Sequence, residues 1–315
     1  MELMKVHGSM NTFFLYEGED REDFAELTRR LSQLDGQIDG LLTVSPSKRC
    51  AAKMRVFNTD GSEASMCGNG LRCVARFVCE RDGVDHAVIE TMKADLTVQK
   101  ESEIDAGVKM YGVEISPVSF QLKDLPMVYE HHAEWQQKPL PFVDASIPFT
   151  AVAVPNPHLI GIVGRDLQRN AGHQEKWAAY FNSDNPYFSD GVNLSYVTPI
   201  KEGIFVRTYE RGVGFTDACG TAMTASALVS CLAGLMPFGN VSVYNPGGMV
   251  NCTVKIIDGN YELKLSGNAT YLAAYRFDLN EGLENSELKL LEKYTEQLSY
   301  DKFIEKISDA TAELI

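Results

Sequence analysis

Two cysteines stand in matching surroundings. The stretch Asn58-Thr59-Asp60-Gly61-Ser62-Glu63-Ala64-Ser65-Met66-Cys67-Gly68-Asn69-Gly70 has a counterpart in Glu210-Arg211-Gly212-Val213-Gly214-Phe215-Thr216-Asp217-Ala218-Cys219-Gly220-Thr221-Ala222. In each, a polar residue, Asn58 or Glu210, lies nine positions before a Cys-Gly pair. The two cysteines are separated by about half of the 315-residue chain, so the pattern reads as a duplicated unit whose copies each supply one thiol. A free thiol titrates at roughly pH 8.5, and a helix N-terminus pulls it toward thiolate. The N–H groups of Gly68, Asn69, Gly220 and Thr221 would form anion sites suited to a carboxylate. A carboxylate held by both would let one thiol take a proton from one face of a carbon while the other returns one to the opposite face. The bland alternative is a pair of buried structural cysteines, since free Cys is among the most buried residue types. The repetition of the Gly-rich setting favours the chemistry.

The elements that must position these thiols can be read around them. Leu71-Arg72-Cys73-Val74-Ala75-Arg76-Phe77-Val78 and Met223-Thr224-Ala225-Ser226-Ala227-Leu228-Val229-Ser230-Cys231-Leu232 read as helices. The second is apolar or small on almost every side, so it should be enclosed by other structure. Ser65, and Asp217 or Thr216, are placed as N-caps, which puts each cysteine at or just before a helix start. Strands are expected near 41–44, 54–57, 86–91, 108–113, 149–154, 159–163, 191–197 and 203–209, with helices over 20–35 and 165–182. Residues 115–147 are broken by Pro117, Pro126, Pro139 and Pro141, and the inter-domain connection is placed at their start. Pro155-Asn156-Pro157-His158 is a rigid turn carrying two polar side chains. Glu284–Lys293 and the segment to Ile315 read as charged amphipathic helices that pack on the body or form a dimer contact.

Composition excludes several classes. A net charge of −14 disfavours nucleic acid and anionic membranes as partners, and no apolar run is long enough to span a bilayer. The N-terminus runs straight into a strand-like pattern without a signal peptide, and seven cysteines without framework spacing suggest a reducing cytoplasm. Cys67, Cys73 and Cys79 are six apart, which scatters them around a helix; there is no CxxC or HExxH, so no metal is expected. No P-loop and no GxGxxG are present, so no nucleotide cofactor is expected either.

The motifs together resemble the diaminopimelate epimerase family, cofactor-independent enzymes that interconvert LL- and meso-diaminopimelate. The resemblance rests on His7-Gly8-x-x-Asn11, Asn58-x-Asp60-Gly61-Ser62-Glu63 through Cys67-Gly68-Asn69-Gly70-x-Arg72-Cys73, Asn156-Pro157-His158, Gly191-Val192-Asn193, and Tyr209-Glu210-Arg211-Gly212 through Ala218-Cys219-Gly220-Thr221, in that order over residues from about 5 to 278. It implies that Cys67 and Cys219 are the two acid/base thiols. It implies that Gly68, Asn69, Gly220 and Thr221 cradle the α-carboxylate, that Asn11, Asn58, Asn156, Asn193, Glu210 and Arg211 contact the substrate, and that His158 and Glu210 tune the thiols. The implied fold is α+β: two pseudo-symmetric domains, each a curved, barrel-like mixed sheet around one central helix, plus a C-terminal helical extension. The domains are expected over 1–116 with a returning strand at 273–279, over 117–272, and an extension over 280–315. The expected partner is a small amino-acid substrate, with a homodimer as the assembly.

Departures leave room for a changed substrate. Met10 stands where the pattern has Gly, Thr12 where it has Asp, Phe215 where it has Glu, and Gly40 where Gln is frequent. Phe215 would remove a carboxylate near Cys219. A racemase of another amino acid, such as histidine, is the competing enzyme reading. A non-catalytic ligand-binding or thiol-redox protein is the third.

Overall fold

The computed structural model describes residues 1–278, 282–312 and 314. Residues 279–281, 313 and 315, which fall in the expected returning strand and extension, lie outside the described residues. The chain forms two compact units: Met1–Glu114 with Ser266–Lys306, and Ile115–Leu265 with Ile307–Ile315.

The first unit opens with β1 (Glu2–Gly8), β2 (Asn11–Glu17), α1 (Phe24–Leu34), β3 (Gly40–Ser45), β4 (Ala52–Asn58), β5 (Glu63–Ala64), α2 (Gly68–Asp82), β6 (His86–Glu90), β7 (Asp95–Asp105) and β8 (Val108–Glu114). β1 and β2 are antiparallel, β2 and β3 parallel, β3 and β4 antiparallel. β4 pairs antiparallel with β5 and parallel with β6, which leads antiparallel into β7 and β8. Each parallel step needs a crossover, and α1 and α2 supply them.

The second unit holds β9 (Lys138–Leu140), β10 (Asp144–Ala153), β11 (Pro157–Ile162), α3 (Arg165–Arg169), α4 (Ala171–Phe181), β12 (Asn193–Ile200), β13 (Gly203–Glu210), β14 (Gly214–Thr216), α5 (Gly220–Leu232), β15 (Gly239–Asn245) and β16 (Gly248–Ile257). From β10 onward the first unit's pattern recurs: antiparallel, parallel, antiparallel, a short antiparallel hairpin, a parallel step across the helix, then antiparallel. By this topology β1 corresponds to β10, β4 to β13 and α2 to α5. The chain ends through β17 (Asn260–Asn268), β18 (Thr270–Asp278), β19 (Glu287–Lys293) and α6 (Glu296–Thr311). β18 returns to pair antiparallel with β1.

One helix lies against the strands of each unit. α2 packs on β1 to β4 and on β6 to β8, and α5 packs on β10 to β13 and on β15 and β16. A single helix can touch so many strands only if the sheet bends around it. The bending stops short of closure, and the class is α+β with a mixed sheet and few helices. Every residue of α5 from Gly220 to Cys231 is buried, which explains why its sequence has no polar face. α2 is buried over most of its length with Arg72 and Arg76 included. The other sheet face is covered by α1, through Phe24, Leu27 and Leu31, in the first unit, and in the second by a core that includes Ala178 and Phe181 of α4.

The extension corrects one expectation. Residues 287–293 form strand β19, antiparallel to β18, where a helix was read. The charged-apolar alternation Glu-Leu-Lys-Leu suits both periods over so short a run, and the free edge of β18 decides it. Helix α6 follows, and its Glu296 to Lys306 portion belongs to the first unit.

Candidate active site

Each cysteine is itself the N-cap of its helix. Cys67 precedes α2 with φ −142° and ψ 108°, and Cys219 precedes α5 with φ −117° and ψ 108°. Ser65, Thr216 and Asp217 were the expected caps, and they sit too early. Gly68 and Gly220 are the first helical residues, so their N–H groups and those of Asn69 and Thr221 belong to the donors a helix leaves without an internal partner. Sulfur takes the cap's role at Cys67, where Gly70 N–H donates to Sγ at 3.4 Å.

Around Cys67 the turn joining β1 to β2 delivers Asn11. Cys67 Sγ donates to Asn11 Oδ1 at 3.7 Å, and Asn69 Nδ2 donates to the same oxygen at 3.5 Å. Asn11 Nδ2 donates to Asp39 Oδ2 at 2.8 Å, and the same carboxylate oxygen accepts from Thr12 N at 2.7 Å. Asp39 therefore fixes which way the amide faces. Gly8 allows the close approach: a Cβ there would stand 2.8 Å from Asn69 O and 2.9 Å from Arg72 Nη2. Asn58 closes β4, and its Nδ2 donates to Ser62 Oγ at 3.0 Å across the 58–62 turn.

Around Cys219 the corresponding parts differ in chemistry. Cys219 Sγ is 3.6 Å from Thr221 Oγ1, which is 3.1 Å from His158 Nε2. His158 Nε2 also lies 3.2 Å from Asn156 Oδ1, an atom that only accepts, so Nε2 carries the ring hydrogen. Burial lowers His158 to about 3, with the charge of Arg211 acting the same way, so the ring is neutral at pH 7. Asn193 Oδ1 accepts from Arg211 N at 2.8 Å, and Arg211 Nη1 donates to Asp190 O at 2.8 Å. Gly191 makes this entry to β12 possible, with φ +71° and a Cβ position only 2.3 Å from Asn182 Oδ1. Glu210 closes β13 as Asn58 closes β4, and Thr216 Oγ1 donates to its Oε1 at 2.5 Å.

At Cys219 the surroundings oppose the acidic thiol expected of a helix start. Burial pushes this thiol well above its usual range, and the carboxylate charge of Glu210 adds to that, against hydrogen bonds from Thr221 and the Ala222 backbone. The helix end is outweighed because the sulfur is deeply buried beside a negative charge. Burial first, and the Glu210 charge in the same direction, favour the neutral thiol at Cys219.

Phe215 has a different role from the carboxylate expected there. Its ring packs on Tyr209 with centroids 5.2 Å apart and under Arg207 at 5.5 Å. No group of three or more His, Cys, Asp or Glu side chains that could hold a metal occurs among the described residues. No helix among them is long and apolar enough to cross a membrane.

The same parts, in the same topological places, bear on parentage. A family profile described as Diaminopimelate epimerase matches residues 3–114 and 150–272. The chain belongs to the diaminopimelate epimerase family. A diaminopimelate epimerase of Listeria monocytogenes serovar 1/2a is 42% identical, over 97% of this chain and 96% of its own length. One of Enterococcus faecalis is 42% identical, over 97% and 98%. Among solved structures, a Bacillus anthracis phenazine biosynthesis protein of the PhzF family aligns with a TM-score of 0.65 at 16% identity, covering 87% of this chain and 97% of that one. A probable proline racemase from Agrobacterium radiobacter K84 aligns at 0.58 and 13%, covering 89% and 93%. At such identities these two speak for the fold alone.

Within the family frame, the first unit gathers Asn11, Cys67, Gly68 and Asn69 at one helix end, with Asn58 closing β4. The second gathers Asn156, His158, Cys219, Gly220 and Thr221, with Asn193, Glu210 and Arg211 at the β12 and β13 ends. Sequence reasoning missed Asp39, which orients Asn11, and Asn268, whose Oδ1 accepts from Ser9 N at 2.8 Å. Asp39 carried a weak signal, standing one residue before the Gly40 that opens β3. Asn268 carried none, since it acts on a turn 259 residues away.

Proposed function

We propose that this protein is a cofactor-independent isomerase that interconverts LL- and meso-diaminopimelate with Cys67 and Cys219 as its two acid/base groups. The observation that carries this is the repeat itself: a cysteine N-cap at one topological position in both units. One sulfur, as thiolate, takes the α-proton and becomes a thiol. The electron pair left on the α-carbon delocalises into the carboxylate, and the other sulfur gives its proton to the opposite face and becomes a thiolate. In the reverse direction the roles exchange. Gly70 N–H points at the Cys67 sulfur and burial favours the protonated form of Cys219, so in one direction Cys67 is assigned the base and Cys219 the acid.

The α-carboxylate is assigned to the N–H groups of Gly68, Asn69, Gly220 and Thr221, where helix ends favour an anion. The distal ammonium and carboxylate are assigned to Asn11, Asn58, Asn156, Asn193, Glu210 and Arg211, a set offering donors, acceptors and one fork-shaped cation. The site of action is the cytoplasm, in keeping with seven cysteines of which none is disulfide-bonded. The test is a panel of amino acids followed by chiral chromatography. Conversion of LL- to meso-diaminopimelate is expected; conversion of L-histidine in its place would overturn the assignment.

A further inference from the structure

Ser9 and Met10, which join β1 to β2, both have positive φ, 52° and 64°, although neither is glycine. Such a turn persists only where its surroundings over-determine it. Part of the holding is local: Met10 N donates to His7 Nδ1 at 3.1 Å, Arg72 Nη2 donates to Ser9 Oγ at 3.0 Å, and Asn268 takes the Ser9 N–H. The rest comes from α6. Tyr300, 1% exposed, packs edge-on against the His7 ring at 4.8 Å, and its hydroxyl hydrogen-bonds Ser9. Gln297 Nε2 lies 3.8 Å from Met10 Sδ and donates to Asp301 Oδ1 at 2.7 Å. The helix start is pinned to α2, where buried Arg76 donates to both oxygens of Glu296, at 2.5 and 2.7 Å, and Tyr271 N adds a third bond at 3.0 Å. The next residue after this turn is Asn11, which meets Cys67 Sγ.

We propose that Gln297 and Tyr300 of α6 are positioning residues for the reaction, holding the Ser9–Met10 turn so that Asn11 stays set against the Cys67 sulfur. Met10, in a place where glycine would be less strained, also offers its sulfur to Gln297, so α6 touches the turn at Met10 as well as at His7 and Ser9. The activity readout rests on the epimerase reading above; the thiol readout does not.

The experiment uses the full chain with Tyr300→Phe, which removes one hydroxyl, and Gln297→Ala. For each, kcat and KM with LL-diaminopimelate, thermal midpoint, and iodoacetamide labelling of Cys67 and Cys219 by peptide mass spectrometry are measured. Expected are a loss in kcat/KM of about tenfold or more, as small misplacements near reacting atoms produce, and a change in Cys67 labelling of at least threefold with Cys219 unchanged. Labelling of Cys67 within twofold of wild type in both variants overturns the proposal, whatever happens to activity. A wild type that turns over no diaminopimelate, with variants that still alter Cys67 labelling selectively, overturns the epimerase reading and leaves the positioning role standing.

Discussion

His158 reaches the Cys219 thiol through Thr221: Nε2 is 3.1 Å from Oγ1, and Oγ1 is 3.6 Å from Sγ. The imidazole is neutral and carries its hydrogen on Nε2, so it orders the hydroxyl that faces the sulfur and supplies no charge of its own. Thr221→Val keeps the shape and removes the link. We expect kcat to fall at least about tenfold, the lower end of what one positioned acid–base partner contributes, with Thr221→Ser retaining most of it. Steady-state rates in both directions check this; a Val variant within twofold of wild type would contradict it.

Glu210 acts on the same thiol with a definite sign. Its negative charge disfavours the Cys219 thiolate, in the same direction as burial. Glu210→Gln should therefore move the pH profile of Cys219 alkylation to lower pH and speed labelling at any fixed pH below it. A profile moved upward, or not moved, would show that the carboxylate charge does not act on this sulfur.

Two buried histidines give the fold an acid limit. Burial lowers His7 from 6.5 to about 4, with Gln297 pulling the other way, and lowers His158 from 6.5 to about 3. The unfolded chain thus binds more protons than the native one between pH 6.5 and these values. Above pH 6.5 both states carry neutral rings and neither histidine makes stability vary. As pH falls below 6.5, each costs about 1.4 kcal/mol per pH unit until its folded value is reached. Urea unfolding at several pH values should show this slope, and His158→Gln should roughly halve it. A slope unchanged by the substitution would place the acid sensitivity elsewhere.

The chemistry was more legible than its settings. Cys67 and Cys219 stand out because a helix N-terminus beside glycine has a local signature, and the enclosed helix α5 shows in its lack of a polar face. The duplicated order of strands was partly visible in the matching stretches. What could not be read was non-local. Asn268 and Tyr300 act on a turn at the other end of the chain, and no spacing rule links them. The thiol's protonation also escaped, since it depends on how deeply Cys219 is buried beside Glu210. The short strand β19 was misread because its pairing with β18 outweighs a pattern that suits a helix equally well.

Phe215 stands where Glu63 stands in the first unit. Tyr209 pairs with Phe215 as Phe57 pairs with Glu63, and Arg207 and Arg55 each lie two residues earlier. Arg55 holds Glu63 in a double hydrogen bond at 2.8 Å, while Arg207 lies over the Phe215 ring. Side chains alternate along a strand, so Phe215 faces away from Glu210 and Thr216. Phe215→Glu should exchange one contact of Arg207 for another, leaving stability within about 1 kcal/mol and kcat/KM within about threefold. A tenfold loss would mean that this position reaches the site after all.

Gly40 is fixed by its neighbour. A Cβ at this position would lie 2.1 Å from the Phe57 carbonyl oxygen, across the β3–β4 pair. Gly40→Ala should destabilise the protein by about 1–3 kcal/mol, as overpacking does, read as a drop in thermal midpoint. An unchanged midpoint would show that the strand yields freely.

The central claim is that two thiols handle one proton position. It is tested by incubating LL-diaminopimelate in D₂O with wild type, Cys67→Ser and Cys219→Ser, and following deuterium at the α-carbon together with the stereochemistry of the product. Wild type should yield meso product carrying deuterium at the inverted carbon, and each serine variant should lose inversion by a factor of about 10² or more. Inversion that survives loss of either sulfur, or a wild type that exchanges no α-hydrogen, would contradict it.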